Sequence, residues 1–158
     1  MLDIQKIYRD TYSELKKMGI PVNEAEVVLR PFTEVTGKCR TNLDGTFTIS
    51  IMKKLAVNDK YDCVRCTMAH ELLHTCKDTC NHDAKWREYA GIAEENGHYG
   101  LFEMYTYNDV HGTDYPPIKR VICENCSLAG NLVVPCDDQP VKCPWCRREM
   151  KSVPVDSK

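Results

Sequence analysis

Hydrophobic residues recur at three- and four-residue intervals over positions 2–18, where Leu2, Ile4, Ile7, Tyr8, Tyr12, Leu15 and Met18 stand among charged side chains. That spacing predicts an amphipathic helix, stopped by Gly19 with Pro21 just beyond. Its simplest role is to cover a sheet. Ala25–Phe32 reads as a short β run, and Thr46–Ile51 alternates as a half-buried strand does. Asn42-Leu43-Asp44-Gly45 between them is a turn signal. Together they predict a small antiparallel sheet.

Farther on the period returns to that of a helix. Val64, Met68 and Leu72 fall four apart and form the buried stripe of a helix expected from about Lys60 to Thr75. A polar connector, Cys76 to Asn81, leads to a second helix from about His82 to Asn96, ended by Gly97. Trp86, Tyr89, Ala90 and Ala93 make its core face. Residues 97–118 are rich in Gly, Tyr, Asn, Asp and Pro and read as an irregular connector with one short strand, bounded by Pro116-Pro117. His98, Tyr105, Tyr107, His111 and Tyr115 lie there, each first a packing or surface residue. Leu132-Val133-Val134 and Val141 suit the strands of a hairpin.

A 42% hydrophobic and 28% charged composition over 158 residues is that of an ordinary globular protein. The net charge of −2 excludes a polyanion binder by bulk charge. The charge is uneven, with 14 basic against 18 acidic residues over 1–115 and 7 against 5 over 116–158, so nucleic acid would meet the C-terminal part first. No signal-like or membrane-length apolar run occurs. The expectation is an intracellular protein without a membrane partner, in which most of the ten cysteines stay reduced.

The chemistry concentrates in two places. Thr67-Met68-Ala69-His70-Glu71-Leu72-Leu73-His74-Thr75 holds an H-E-x-x-H signature, and His82 follows eight positions after His74. Residues four apart share a helix face, so His70 and His74 can address one ion. Glu71, rotated by about 100°, sits beside the ion, where it can take a proton from water. Three histidines leave one position of a tetrahedral zinc open, as catalysis requires. The second place is Cys123-Glu-Asn-Cys126 with Cys143-Pro-Trp-Cys146, two C-x-x-C knuckles whose thiolates close a structural zinc site of ribbon type. Two zinc ions are therefore expected, one catalytic and one structural. Cys63 and Cys66 also form a C-x-x-C, but Cys76 lies about 15 Å or more along the helix. These two and Cys39 read as buried thiols. Cys76 and Cys80 flank the connector to His82 without a specific role, and Cys136 is not a ligand.

H-E-L-L-H-T followed by N-H-D-A-K-W and then a four-cysteine ribbon resembles the SprT-like (Spartan-type) zinc metalloproteases. The resemblance covers roughly residues 1–150 and is specific at 70–86 and 123–146. It implies that His70, His74 and His82 bind catalytic zinc and that Glu71 is the general base. The implied fold is a small α+β zincin-like domain, helices over a short antiparallel sheet, with a C-terminal zinc ribbon. The divisions expected are a protease domain over 1–115, a ribbon over 116–150 and a flexible tail over 151–158. Asp83 departs from the pattern, which usually has glycine after the third histidine. Many zinc peptidases hold an extended substrate on a sheet edge, and the edge of the sheet here is expected along the cleft.

The function implied is peptide-bond hydrolysis, acting on proteins bound or crosslinked to DNA. Lys119, Arg120, Lys142, Arg147, Arg148 and Lys151 flank the ribbon cysteines, and Trp145 lies within the second knuckle. Phosphate contacts and a stacking ring are what single-stranded DNA requires. Two other readings stand beside this one: a metal hydrolase unrelated to DNA, and a nucleic-acid-binding adaptor that uses only the ribbon.

Overall fold

The computed structural model describes residues 1–104, 119–132 and 140–154. The chain divides into two compact units, Met1–Leu101 and Phe102–Lys158, so the division falls before the 115/116 boundary expected from the sequence. Both units are mixed or β in character and each contains a three-stranded sheet.

In the first unit, α1 (Ile4–Lys17) starts at Asp3, whose side chain accepts the Lys6 N–H at 2.9 Å. It ends as a Schellman motif: Gly19 takes φ +80°, its N–H donates to the Lys16 carbonyl, and the Ile20 N–H reaches the Leu15 carbonyl. Ile7, Thr11 and Leu15 form its buried face. The helix packs chiefly along α3 (Tyr61–Leu73), not over the sheet as the sequence suggested. Arg65 of α3 donates to Glu14 at 3.0 Å and to the Gly97 carbonyl at 3.1 Å, and stacks 3.9 Å from the Tyr99 ring centre. The Tyr99 hydroxyl donates to the same Glu14 carboxylate at 2.6 Å.

The sheet corrects the expectation of a purely antiparallel pair. β1 (Ala25–Arg30) runs parallel to β3 (Phe47–Met52), with Ala25 opposite Phe47. An additional strand, β2 (Gly37–Thr41), reverses the chain and pairs antiparallel on the other side of β3, giving the order β1-β3-β2. The Asn42–Gly45 turn is the β2–β3 hairpin, closed by Asn42 N–H to the Thr46 carbonyl at 2.7 Å. Gly-Lys-Cys-Arg-Thr lacks the apolar alternation that marks a strand with one buried face, because β2 is an edge strand with no fully buried residue.

A short helix, α2 (Lys53–Val57), follows β3 directly and buries Leu55 and Ala56. Helix α3 is the centre of this unit: Val64, Met68 and Leu72 are fully buried as expected, and so are residues on its other faces, among them Cys63, Cys66, Ala69 and Leu73. A helix enclosed nearly all round carries little amphipathic signal. Helix α4 (Ala84–Gly97) starts at Asp83 and ends at His98, which takes the left-handed conformation at φ +49°. Gly97 is the last helical residue, and a Cβ there would collide with the Tyr99 ring.

In the second unit, β4 (Lys119–Ile122) is the central strand, flanked by β5 (Ala129–Leu132) and β6 (Lys151–Pro154), both antiparallel to it. The residues expected to begin a flexible tail thus form a sheet strand, with Lys151 opposite Ile122. Val121, Leu128 and Met150 make a small core together with Cys123, Cys126 and Cys143. Leu132 ends β5 and Val141 lies against this core. Val133, Val134, Cys136, Tyr105, Tyr107, His111, Tyr115 and Pro116-Pro117 lie outside the described residues. No described helix is long and apolar enough to cross a membrane.

Candidate metal centres

Two groups of ligand-type side chains converge among the described residues: His70, His74 and His82, and Cys123, Cys126, Cys143 and Cys146. Each group's ligand atoms lie within 4.8 Å of one another. Nothing else expected to bind metal is drawn in, and Cys63 and Cys66 sit buried in the α3 core.

His70 lies in the last turn of α3 and His74 is its C-cap. The chain then turns back through the polar run Cys76–Asn81, which is strongly tied: the Thr79 hydroxyl lies 2.7 Å from both the Leu73 and Cys76 carbonyls. Asn23 fixes the start of this turn, its N–H on the Thr75 hydroxyl at 2.8 Å and its side-chain amide on the Thr75 carbonyl at 2.6 Å. Asp78 takes φ +62°, which lets the turn close. His82 follows immediately before the N-cap of α4. Asp83 accepts the Trp86 N–H at 3.2 Å, and Arg87 donates to the His82 carbonyl at 2.8 Å. Aspartate after the third histidine is therefore a helix cap, a role glycine fills less well.

The imidazole nitrogens face each other. His70 Nε2 lies 2.9 Å from His82 Nε2 and 3.3 Å from His74 Nε2. A tetrahedral zinc holding nitrogens at 2.0–2.1 Å separates them by about 3.4 Å, so the cluster is at the size of one ion. His74 Nδ1 lies 2.6 Å from the Thr79 carbonyl. A carbonyl only accepts, so Nδ1 carries the proton and Nε2 presents its lone pair to the cluster. Trp86, fully buried, backs all three rings at centroid distances of 4.8, 5.7 and 4.7 Å from His70, His74 and His82. Burial, then mutual repulsion among the imidazoles, holds His70 well below its ordinary pKa. Burial and the neighbouring His74 push His82 down to about 4. All three are thus neutral near pH 7, the state that ligates metal.

Glu71, the residue after His70 on α3, is buried and is not one of the converging groups. Burial raises its carboxyl to about 7, opposed by a backbone hydrogen bond from Cys39. That bond comes from the edge strand. Met52 N–H donates to the Thr36 carbonyl and Asn42 N–H to the Thr46 carbonyl, so the even-numbered residues between them, Lys38 and Arg40, are those that bond β3. Gly37, Cys39 and Thr41 turn their backbone groups to the open edge. Sequence reading found every residue of this cluster except its supports, since neither Thr79, Asn23 nor β2 carries a local signature. His98 caps α4 and is not among the converging groups. A cleft of about 570 Å³ elsewhere in this unit is lined by Tyr8, Tyr12, Phe47 and neighbours and includes none of the histidines or Glu71.

The four-cysteine group is built from two matching turns. Cys123 N–H donates to the Leu128 carbonyl and Ser127 N–H to the Cys123 carbonyl, both at 2.8 Å. In the second turn, Cys143 N–H donates to the Arg148 carbonyl at 2.8 Å and Arg147 N–H to the Cys143 carbonyl at 2.9 Å. Ser127 and Arg147, each just after its knuckle, have φ +59° and +62°. Cys123 and Cys146 sulfurs are 3.6 Å apart, against the roughly 3.8 Å that a tetrahedral zinc imposes at 2.3 Å per thiolate. A backbone hydrogen bond at Arg148 lowers Cys146 to about 6, while burial pushes Cys126 up to about 12. Four such thiols ionise together only around a cation. This arrangement can hold a metal ion such as zinc.

The residues expected to meet nucleic acid are mostly exposed. Arg120, Lys142, Arg147, Arg148 and Lys151 are exposed and Lys119 is half-buried. Lys151 lies 3.5 Å from Glu124, and Arg120 donates to Asn131 at 3.5 Å. Trp145 is half-buried against the second unit's small core, edge-on to Phe102 at 5.9 Å. No family model, curated protein or solved structure matches this chain.

Proposed function

We propose that this chain is a zinc-dependent endopeptidase with a zincin-like first unit and a structural zinc ribbon. The observation that carries the reading is three neutral imidazoles that converge at zinc spacing, with Glu71, the residue after His70 on α3, buried and outside that group. His70, His74 and His82 would hold the catalytic ion, and Cys123, Cys126, Cys143 and Cys146 the structural one. Zinc in the first site supplies a Lewis acid that polarises a carbonyl and acidifies water. The Glu71 carboxylate accepts the proton of the attacking water and returns it to the leaving amine. Trp86 excludes water from the back of the histidines and fixes their planes. The open edge of β2 offers the outward backbone groups of Gly37 and Thr41 to an extended peptide.

The substrate class proposed is protein held on DNA, with Lys119, Arg120, Lys142, Arg147, Arg148, Lys151 and Trp145 meeting single strands. The experiment is a Glu71→Gln exchange, assayed for cleavage of an unfolded protein with and without single-stranded DNA. Proteolysis should fall by about 10²–10⁴-fold with both metals retained. Wild-type cleavage by the variant refutes the mechanism. Equal wild-type cleavage with and without DNA, across low and moderate salt, refutes the DNA role alone.

A further inference from the structure

A general base is useful only in one place, and the Glu71 side chain is long enough to occupy several. The residues that limit it come from the sheet edge, not from the helix that carries it. A Cβ built on Gly37 would stand 3.0 Å from Glu71 Cγ and 3.0 Å from Oε1, and would overlap the Thr67 methyl. Real Cβ atoms essentially never come as close as the Thr67 methyl would be, and at 3.0 Å the Glu71 stem would have to shift by a few tenths of an ångström. The absence of a side chain at position 37 is what lets β2 lie against α3 with Glu71 where it is. Two residues along, Cys39 is likewise not among the residues that bond β3, so its N–H is turned to the outer edge of the strand against which Glu71 lies. Gly37 has an ordinary negative-φ backbone, unlike Gly19, Gly45 and Gly100. The glycine is therefore required by contact and not by chain conformation.

We propose that β2 is the positioning strand for Glu71: the Cys39 N–H clamps the carboxylate, and the bare Cα of Gly37 leaves the volume in which its stem lies. The inference rests on Glu71 being the base, as proposed above. It makes Gly37 and the Cys39 backbone positioning elements, since they act through Glu71 and not on the substrate. It also explains why an otherwise unremarkable edge strand is held against the most enclosed helix of the unit.

Cys39→Pro removes the N–H, and proline is tolerated where that group faces an open sheet edge. The comparison is Cys39→Ala, which changes the side chain and keeps the N–H. The kcat of the proline variant should lie about 10- to 100-fold below that of the alanine variant, the scale of a misplaced catalytic group. KM and zinc content should match. Gly37→Ala should likewise lower kcat at unchanged zinc content. Because that methyl also overlaps Thr67, the pair Gly37→Ala with Thr67→Ser removes one collision and keeps the other. The double variant should regain thermal stability while kcat stays low; recovery of kcat along with stability overturns the proposal in favour of simple packing. Wild-type kcat in Cys39→Pro overturns the clamp while the peptidase reading stands, provided Glu71→Gln is inactive. An active Glu71→Gln protein removes the base, and the positioning role with it.

Discussion

Replacing Trp86 with alanine should separate two things that the indole does at once. The ring is fully buried and touches all three histidines of the cluster. Emptying a buried tryptophan site costs about 3–5 kcal/mol, from a total of about 5–15 kcal/mol for an ordinary domain. That loss belongs to the metal-free protein. A second loss concerns the ligands. His74 keeps its bond to the Thr79 carbonyl, and His70 and His82 each lose the indole against which the ring lies. Ordering a side chain on binding costs about 0.5–1.5 kcal/mol, so the two rings together weaken zinc by about 1–3 kcal/mol, roughly 5- to 150-fold. Urea unfolding in chelator, followed by circular dichroism, measures the first loss. Zinc competition, with the four-cysteine site followed separately through thiolate absorbance, measures the second. A metal-free loss below about 1 kcal/mol would show that the ring is not core. Full destabilisation with unchanged zinc affinity would show that it packs without organising the ligands.

Thr79→Ala removes the hydroxyl that secures the Leu73 and Cys76 carbonyls, and should cost about 1–2 kcal/mol while raising the zinc dissociation constant at the histidine site, read by the same competition. Glu14→Gln should cost about 1 kcal/mol at neutral pH, a figure kept low because the carboxylate is 42% exposed. Burial alone would raise the Glu14 pKa, but hydrogen bonds from Tyr99 and Arg65 and the Arg65 charge bring it below 4.5. A depressed carboxylate contributes above its unfolded value and loses that contribution as pH falls through its folded one. Wild type and variant should therefore differ in denaturation midpoint above pH 4.5 and converge below it; a constant difference would contradict the ion-pair origin. Cys143→Ser should remove one zinc per chain by elemental analysis and unfold the second unit's small core, leaving the helical signal of the first.

Much of the first unit was legible because its elements repeat locally. Helix α1, the H-E-x-x-H helix and α4 announce themselves through spacing, caps or metal ligands, and the two knuckles are short-range patterns. What could not be read is what depends on partners far along the chain. Strand β2 has a single apolar side chain, so no alternation reveals it, and without it β1 and β3 look like an antiparallel pair instead of a parallel one. The role of Gly37 is likewise invisible locally, since it arises from Thr67 and Glu71, thirty residues or more away. Lys151–Pro154 carries too few apolar residues to signal a strand, and takes its order from β4. Asp83 was the reverse case: an apparent departure from a pattern that a capping hydrogen bond accounts for.

The turn from His74 to His82 has a consequence for metal binding. An ion that joins the end of one helix to the start of the next is a cross-link across eight residues, and the cysteine site spans seventeen between Cys126 and Cys143. By the loop-closure relation used for disulfides, closing such loops costs about 2.5–3 kcal/mol of chain entropy each. An ion that leaves on unfolding adds its binding free energy to the native fold, and that binding is easier where the turn already holds the loop closed, as the Thr79 and Asn23 bonds do between His74 and His82.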